Sequence, residues 1–211
     1  MKRYASFAAF AAFVLLAVAP LLAQAPKGWM VHVDRSTDAA DPDAAGNIKF
    51  MAMGSSLHIM TPQGAVFWNP ANTASGNYTL KGTFKLIKTS GFNEYYGLIF
   101  GGNGLQGGDQ SYLYFMVTDD GTWLVKRRTG ASTENVSQKT PNATVKKPDA
   151  TGSSTNALEV RVMADKIEFV VNGTVVSTMP KTGALAKTDG VYGIRSNHHL
   201  ELEVEGFAVS K

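Results

Sequence analysis

The chain has 211 residues, no cysteine, 21 glycines, 8 prolines and a formal charge of +3, with 18% charged and 44% apolar residues. That length suits one domain with a real core and excludes a disordered tail, a coiled coil and a collagen-like chain. Without a thiol there is no disulfide scaffold, no cysteine-ligated zinc and no cysteine nucleophile.

The first element reads as a signal peptide. Lys2 and Arg3 make a positive start, Ala5 to Leu22 is uncharged and apolar, and Ala23-Gln24-Ala25 supplies the small-x-small pattern of a cleavage site. We expect residues 1–25 to be removed and residues 26–211 to form one β-sandwich domain in a bacterial periplasm or outside the cell. Only an uncleaved signal would tie the chain to a membrane. Cleavage takes Lys2 and Arg3 and no acid, lowering +3 to +1. A nearly neutral chain lacks the electrostatic footprint of a nucleic-acid binder.

Beyond Pro26 the apolar spacing is two, not three and four. Strands are expected near residues 48–53, 56–61, 65–68, 77–87 and 95–100, then 112–117, 122–128, 158–163, 167–171 and 174–178, with two more after Gly190. In the fourth of these, Tyr78, Leu80, Phe84 and Leu86 share a face opposite Thr79, Lys81, Thr83 and Lys85. One wet and one dry face is the antiparallel pattern. Asp120-Gly121 and Asn172-Gly173 mark hairpins, since both tolerate the positive φ of tight turns. Residues 129–156, rich in Ser, Thr, Asn, Lys and Pro, read as surface loops around one or two edge strands. At Gly206 the apolar parity slips by one, from Val204 to Phe207 and Val209, which predicts a β-bulge. About a dozen strands without helices make an all-β, two-sheet antiparallel sandwich.

Several stretches, in this order, carry a resemblance: Tyr95-Tyr96-Gly97-Leu98-Ile99-Phe100; Tyr112 to Val117 turning through Asp120-Gly121 into Thr122-Trp123-Leu124-Val125; Asn156 to Val160; Ile167 to Gly173; and Gly190-Val191-Tyr192-Gly193-Ile194. The chain resembles the concanavalin A-like (laminin G-like) jelly rolls of exported bacterial proteins, most nearly the 3-keto-disaccharide hydrolase-type domains. The resemblance runs over roughly residues 77–209 and implies carbohydrate binding or cleavage, on one sheet or on the loops at its rim. It leaves three readings: non-covalent carbohydrate binding, a glycoside hydrolase of the keto-disaccharide type, and an accessory subunit docked on an envelope protein partner.

For cleavage, two carboxyls must face each other across the scissile bond. The loop acids Glu94, Asp109 and Asp119 are the catalytic candidates, while Asp120 is explained by its turn. Glu201, Glu203 and Glu205 alternate on one strand and read as a solvated face. For binding, sugar rings stack on aromatic faces while planar polar groups take the hydroxyls. Tyr95, Tyr112, Tyr114 and Trp123, with Arg127 and Arg195, are the ligand-binding candidates, on the expectation that Tyr112 and Tyr114 join Trp123 and Arg127 across the Asp120-Gly121 turn. Gly102-Asn103-Gly104-Leu105-Gln106-Gly107 matches a dinucleotide string but runs into a strand instead of a helix, so no nucleotide is expected. His198 and His199 would diverge on a strand, so zinc is not expected. No cofactor is called for. Asp38, Asp41 and Asp43 are the oxygen ligands for calcium should one bind.

Overall fold

A computed structural model describes residues 25–88, 91 and 93–211, so the signal-peptide reading falls, but for Ala25, outside the described residues. In chain order the strands are β1 (Met30–Asp34), β2 (Lys49–Met53), β3 (Ser56–Thr61), β4 (Gly64–Ala74), β5 (Tyr78–Lys88), β6 (Tyr95–Asn103), β7 (Ser111–Thr118) and β8 (Thr122–Thr129). They continue with β9 (Ser132–Asn135), β10 (Thr140–Pro141), β11 (Ser154–Val162), β12 (Lys166–Val171), β13 (Thr174–Pro180), β14 (Gly190–Ser196) and β15 (Leu200–Ser210). Apart from a 3-10 turn at Gly183–Leu185, no helix interrupts them among the described residues.

Every pairing is antiparallel. Sheet A runs β1-β4-β14-β6-β7-β8-β10, with β9 also on β8, and sheet B runs β13-β12-β11-β5-β15-β3-β2. The two stack as a sandwich. Residues 129–156 give two short edge strands among loops, as their polar composition predicts. Strand β1 is an addition to the predicted set, although Val31 and Val33 alternate there with Met30, His32 and Asp34.

Alternation decides which side chains go between the layers. From β5, Tyr78, Leu80, Phe84 and Leu86 point inward and are at most 3% exposed. Phe169 of sheet B lies 5.1 Å from Phe115 and 6.4 Å from Phe100 of sheet A, ring centre to ring centre, so these three join the layers. The outer face of sheet B is solvated and cross-linked by charge. Glu201 meets His58 at 2.9 Å, and Glu203 meets Lys85 at 3.9 Å and Ser56 at 2.9 Å. Glu205 is exposed. The alternating glutamates are therefore a wet strand face.

Turn chemistry follows the sequence closely. Asn172 and Gly173 both take positive φ, 50° and 82°, between β12 and β13. Asp119-Asp120-Gly121 is a three-residue hairpin loop with Gly121 at φ 86°. In β15 the register against β5 steps from Glu205 opposite Thr83 to Ala208 opposite Lys81, which is one extra residue, with Gly206 at φ 59°. That is the predicted bulge, in its glycine form. A Cβ at Gly206 would meet nothing within 4 Å. Gly206→Ala is therefore expected to lower stability by about 1 kcal/mol through left-handed backbone strain alone, readable as a shifted urea midpoint with unchanged slope.

Sheet A is strongly curled. Strands β1 and β8 stand five inter-strand steps apart, about 24 Å across a flat sheet at ~4.8 Å per step. Yet Arg128 of β8 donates to Asp34 of β1 at 3.0 Å. Gln110 and His32 also meet across this gap at 3.3 Å, as do Gln106 and Met30 at 3.4 Å. The outer face of sheet A is thus a trough whose walls touch. Its interior holds a second apolar cluster of Val66, Trp68, Ile99, Leu105, Tyr112, Tyr114, Met116 and Leu124.

Candidate functional site

The curl changes the fate of the proposed aromatic platform. Tyr112 and Tyr114 do face away from the interlayer core, 5.6 Å apart, but they are 1% and 4% exposed. They line the bottom of the trough and offer no free ring to a sugar. Trp123 is on the other face. The register pairs Val117 with Trp123 and Leu113 with Arg127, so the odd-numbered residues of β7 and β8 share one side. Trp123 is 5% exposed, packs 6.4 Å from Phe115 and belongs to the interlayer core. The residues beside Tyr112 and Tyr114 are Arg128 and Lys126, not Trp123 and Arg127. Tyr95, half-buried at the rim, lies 5.8 Å from both Lys126 and Lys139.

Arg195 sits at the centre of a buried polar network in the trough. Its Cα partner in β6 is Gly97, where any Cβ would collide with the Phe115 carbonyl. With no side chain there, the guanidinium lies over the Tyr114 ring at 5.4 Å. Arg195 Nη1 donates to Asp34 Oδ2 at 2.8 Å and to the Tyr112 hydroxyl at 2.7 Å. Asp34 uses its other oxygen for Arg128. One carboxylate thus bridges two guanidiniums, with side chains only 12% to 18% exposed. Burial opposes the charge on Arg195, but Tyr112 and Asp34 beside it more than restore it and keep the guanidinium ionised. Burial pushes the Tyr112 hydroxyl up to about 12, against the pull of Arg195, so it stays protonated. Burial and then the Arg195 charge both lower Lys126.

This network floors a cleft of about 430 Å³. The opposite wall comes from the loop after β1 and the turn between β14 and β15, through Asp41, Asp43, Asn197 and His198. His198 does not continue a strand, contrary to the premise on which it was set aside. His199 takes φ 58°, the chain turns, and the His198 ring swings inward while His199 Nε2 meets the Pro42 carbonyl at 2.9 Å. His198 Nδ1 lies 3.0 Å from Asp43 Oδ1, and Nε2 lies 2.9 Å from Glu94 Oε1 and 3.2 Å from Asp41 Oδ1. Glu94 is 4% exposed, and burial raises its carboxyl despite His198. Burial lowers the His198 imidazole, but the surrounding carboxylates outweigh it and leave the ring raised.

The predicted acids do not form one site. Glu94 faces His198, whereas Asp109 lines a separate pocket of about 300 Å³ with Trp68, Leu105 and Gln106. Asp119 sits in the β7–β8 hairpin near Lys139, whose charge it reinforces. Of the oxygen ligands considered for calcium, Asp41 and Asp43 reach His198, while Asp38 caps its own turn by accepting from the Ala40 N–H at 2.8 Å. The glycine-rich run makes a turn, Gly107 N donating to Gly104 O at 3.0 Å, before strand β7, and it lays Leu105 into the trough. Asp34, Arg128 and His198 are the site residues absent from the predicted set, Arg128 taking the place given to its neighbour Arg127.

No protein-family model matches the chain, and no curated protein matches it. Among solved structures it is similar to the carbohydrate-binding module CBM66 from Bacillus subtilis, with TM-score 0.62 and 9% identity over 87% of this chain and 96% of that one. It is equally similar, TM-score 0.62 and 16% identity over 87% and 89%, to a Bacillus subtilis protein of unknown function with a galectin-like fold. The fold is a concanavalin A-like jelly-roll sandwich. The exoplasmic/lumenal domain of VIP36, solved in a Ca2+/Man3GlcNAc-bound form, shares this concanavalin A-like architecture with TM-score 0.52 and 10% identity over 87% and 86%. At such identities the jelly roll is what is shared.

Proposed function

We propose that this jelly roll binds carbohydrate non-covalently, end-on in the 430 Å³ cleft between the Asp34 network and the His198 wall. The observation that carries it is the pair of guanidiniums fixed by one carboxylate at the cleft floor. Planar donors held in place by other side chains bind neighbouring hydroxyls without losing rotamer freedom on binding. The fold of the carbohydrate-binding module and of VIP36 supports the same reading. A route through the predicted signal would place the protein in the periplasm or outside the cell, where such polymers are met. The hydrolase reading gains nothing from Glu94, Asp109 and Asp119, which stand at three separate places. A docked subunit lacks its surface, because the exposed large apolar residues among those described, Val33, Met53 and Val175, lie on three different strands.

A glycan array on the purified protein tests this, with Arg128→Ala beside it and Lys166→Ala on sheet B as control. Wild type and Lys166→Ala are expected to bind at least one glycan class equally, and Arg128→Ala to bind it ~10- to 100-fold more weakly, the worth of one hydrogen bond to a charged group. An array blank for wild type, or full-strength binding by Arg128→Ala, overturns the reading.

A further inference from the structure

We propose that Asp41, Glu94 and His198 Nε2 form a binding site for one first-row divalent cation, of the zinc or manganese type, in the wall of the cleft. The three residues come from separate parts of the chain: the loop after β1, the residue before β6 and the turn after β14. Their donor atoms lie within 4.8 Å of one another.

Protons alone serve this arrangement poorly. Asp43 takes the Nδ1 side of the ring at 3.0 Å, which leaves Nε2 to face Glu94 at 2.9 Å and Asp41 at 3.2 Å. A single N–H cannot point along both lines. Even with the imidazole fully protonated, three carboxylates around one positive ring leave an excess of negative charge, and Glu94 and His198 are 4% and 5% exposed. A divalent cation resolves both problems. It accepts the Nε2 lone pair and both oxygens together, and it cancels the excess charge beside the buried Glu94 and His198.

The geometry fits such an ion. Bonds of ~2.1 Å place neighbouring donor atoms ~3.0 Å apart in an octahedron and ~3.4 Å apart in a tetrahedron; the two Nε2–oxygen separations are 2.9 Å and 3.2 Å, and all three donors lie within 4.8 Å of one another. Asp43 then has the role that a carboxylate behind a metal-bound histidine usually has. It accepts from Nδ1–H, fixes the tautomer and turns Nε2 toward the ion. Ser36 N–H in turn donates to the other oxygen of Asp43 at 3.1 Å. A nitrogen donor with two carboxylates favours zinc or manganese over calcium, which takes oxygen ligands throughout. Asp41, whose side chain is 47% exposed, marks the open side, and Asp41 and His198 both line the cleft, so an ion has a way in and free coordination positions.

The test needs no glycan, so its outcome is separable from that of the binding reading. The protein is stripped with a chelator, dialysed, and titrated by calorimetry with ZnCl2, MnCl2 and CaCl2. One equivalent of Zn2+ or Mn2+ is expected to bind at least 10-fold more tightly than Ca2+. Glu94→Gln should abolish binding; because Glu94 is buried and that variant could misfold, Asp41→Asn is the second probe. It should weaken binding about 10-fold while leaving the melting temperature of the metal-free protein within a degree or two. No saturable uptake of Zn2+ or Mn2+ by wild type, preference for Ca2+, or full-strength uptake by Asp41→Asn overturns the site.

Discussion

Asp34→Ala is expected to lower stability by roughly 3–5 kcal/mol, the usual cost of removing one partner from a buried ion pair. The change strips the shared acceptor from two guanidiniums at once. Arg195, with its side chain 12% exposed, then lies against Arg128 with only the Tyr112 hydroxyl to satisfy it. The loss is also a loss of shape, because Asp34–Arg128 is the charged contact among those that join the two walls of the trough. Urea denaturation gives the number. Asp34→Ala/Arg195→Met serves as the diagnostic second variant: if the orphaned charge causes most of the damage, the double variant is more stable than Asp34→Ala alone. A drop under about 1 kcal/mol for Asp34→Ala would show that the network is solvated and does not brace the sheet.

Phe169→Ala is expected to cost a similar ~3–5 kcal/mol, for an unrelated reason. Its ring is fully buried and touches both Phe100 and Phe115 from the facing sheet. Truncation leaves a cavity between layers that are each stiffened by their own hydrogen bonds and so cannot collapse onto it. Val175→Ser on the neighbouring edge strand, where Val175 is 43% exposed, should stay within ~0.5 kcal/mol. Thermal melts of the two variants side by side check the contrast. Equal melting temperatures would mean that the interlayer packing does not centre on Phe169.

The local features of this fold are legible in the residues because their causes are local. Period two in β5, positive φ at Asn172-Gly173 and the parity slip at Gly206 all depend on a few neighbours. The curl of sheet A does not. Leu113, Phe115 and Val117 make one dry face on β7, and alternation alone then predicts a wet face for Tyr112 and Tyr114. Contacts between strands five places apart make both faces dry. The error at Trp123 is of a different kind, since its cause was present in the chain. A three-residue loop after Thr118 pairs 117 with 123, which puts Trp123 on the side of Phe115. Asp34 was hidden because five residues of alternating Val and polar side chains are a weak strand signal. His198 was hidden because its partners, Asp41 and Glu94, are distant in sequence and the turn that aims it depends on a left-handed His199.

Strand order has one more outcome. The final two strands do not join at the edges: β14 lies between β4 and β6, and β15 between β5 and β3. Neither sheet can zip up in the order in which a ribosome delivers it, since each waits for a centrepiece supplied near the carboxyl end. Until then β4 and β6, like β5 and β3, have unfilled hydrogen-bonding edges toward each other, and such non-local closure is slow. A polypeptide with this wiring can complete neither layer until residues 190–210 have been added.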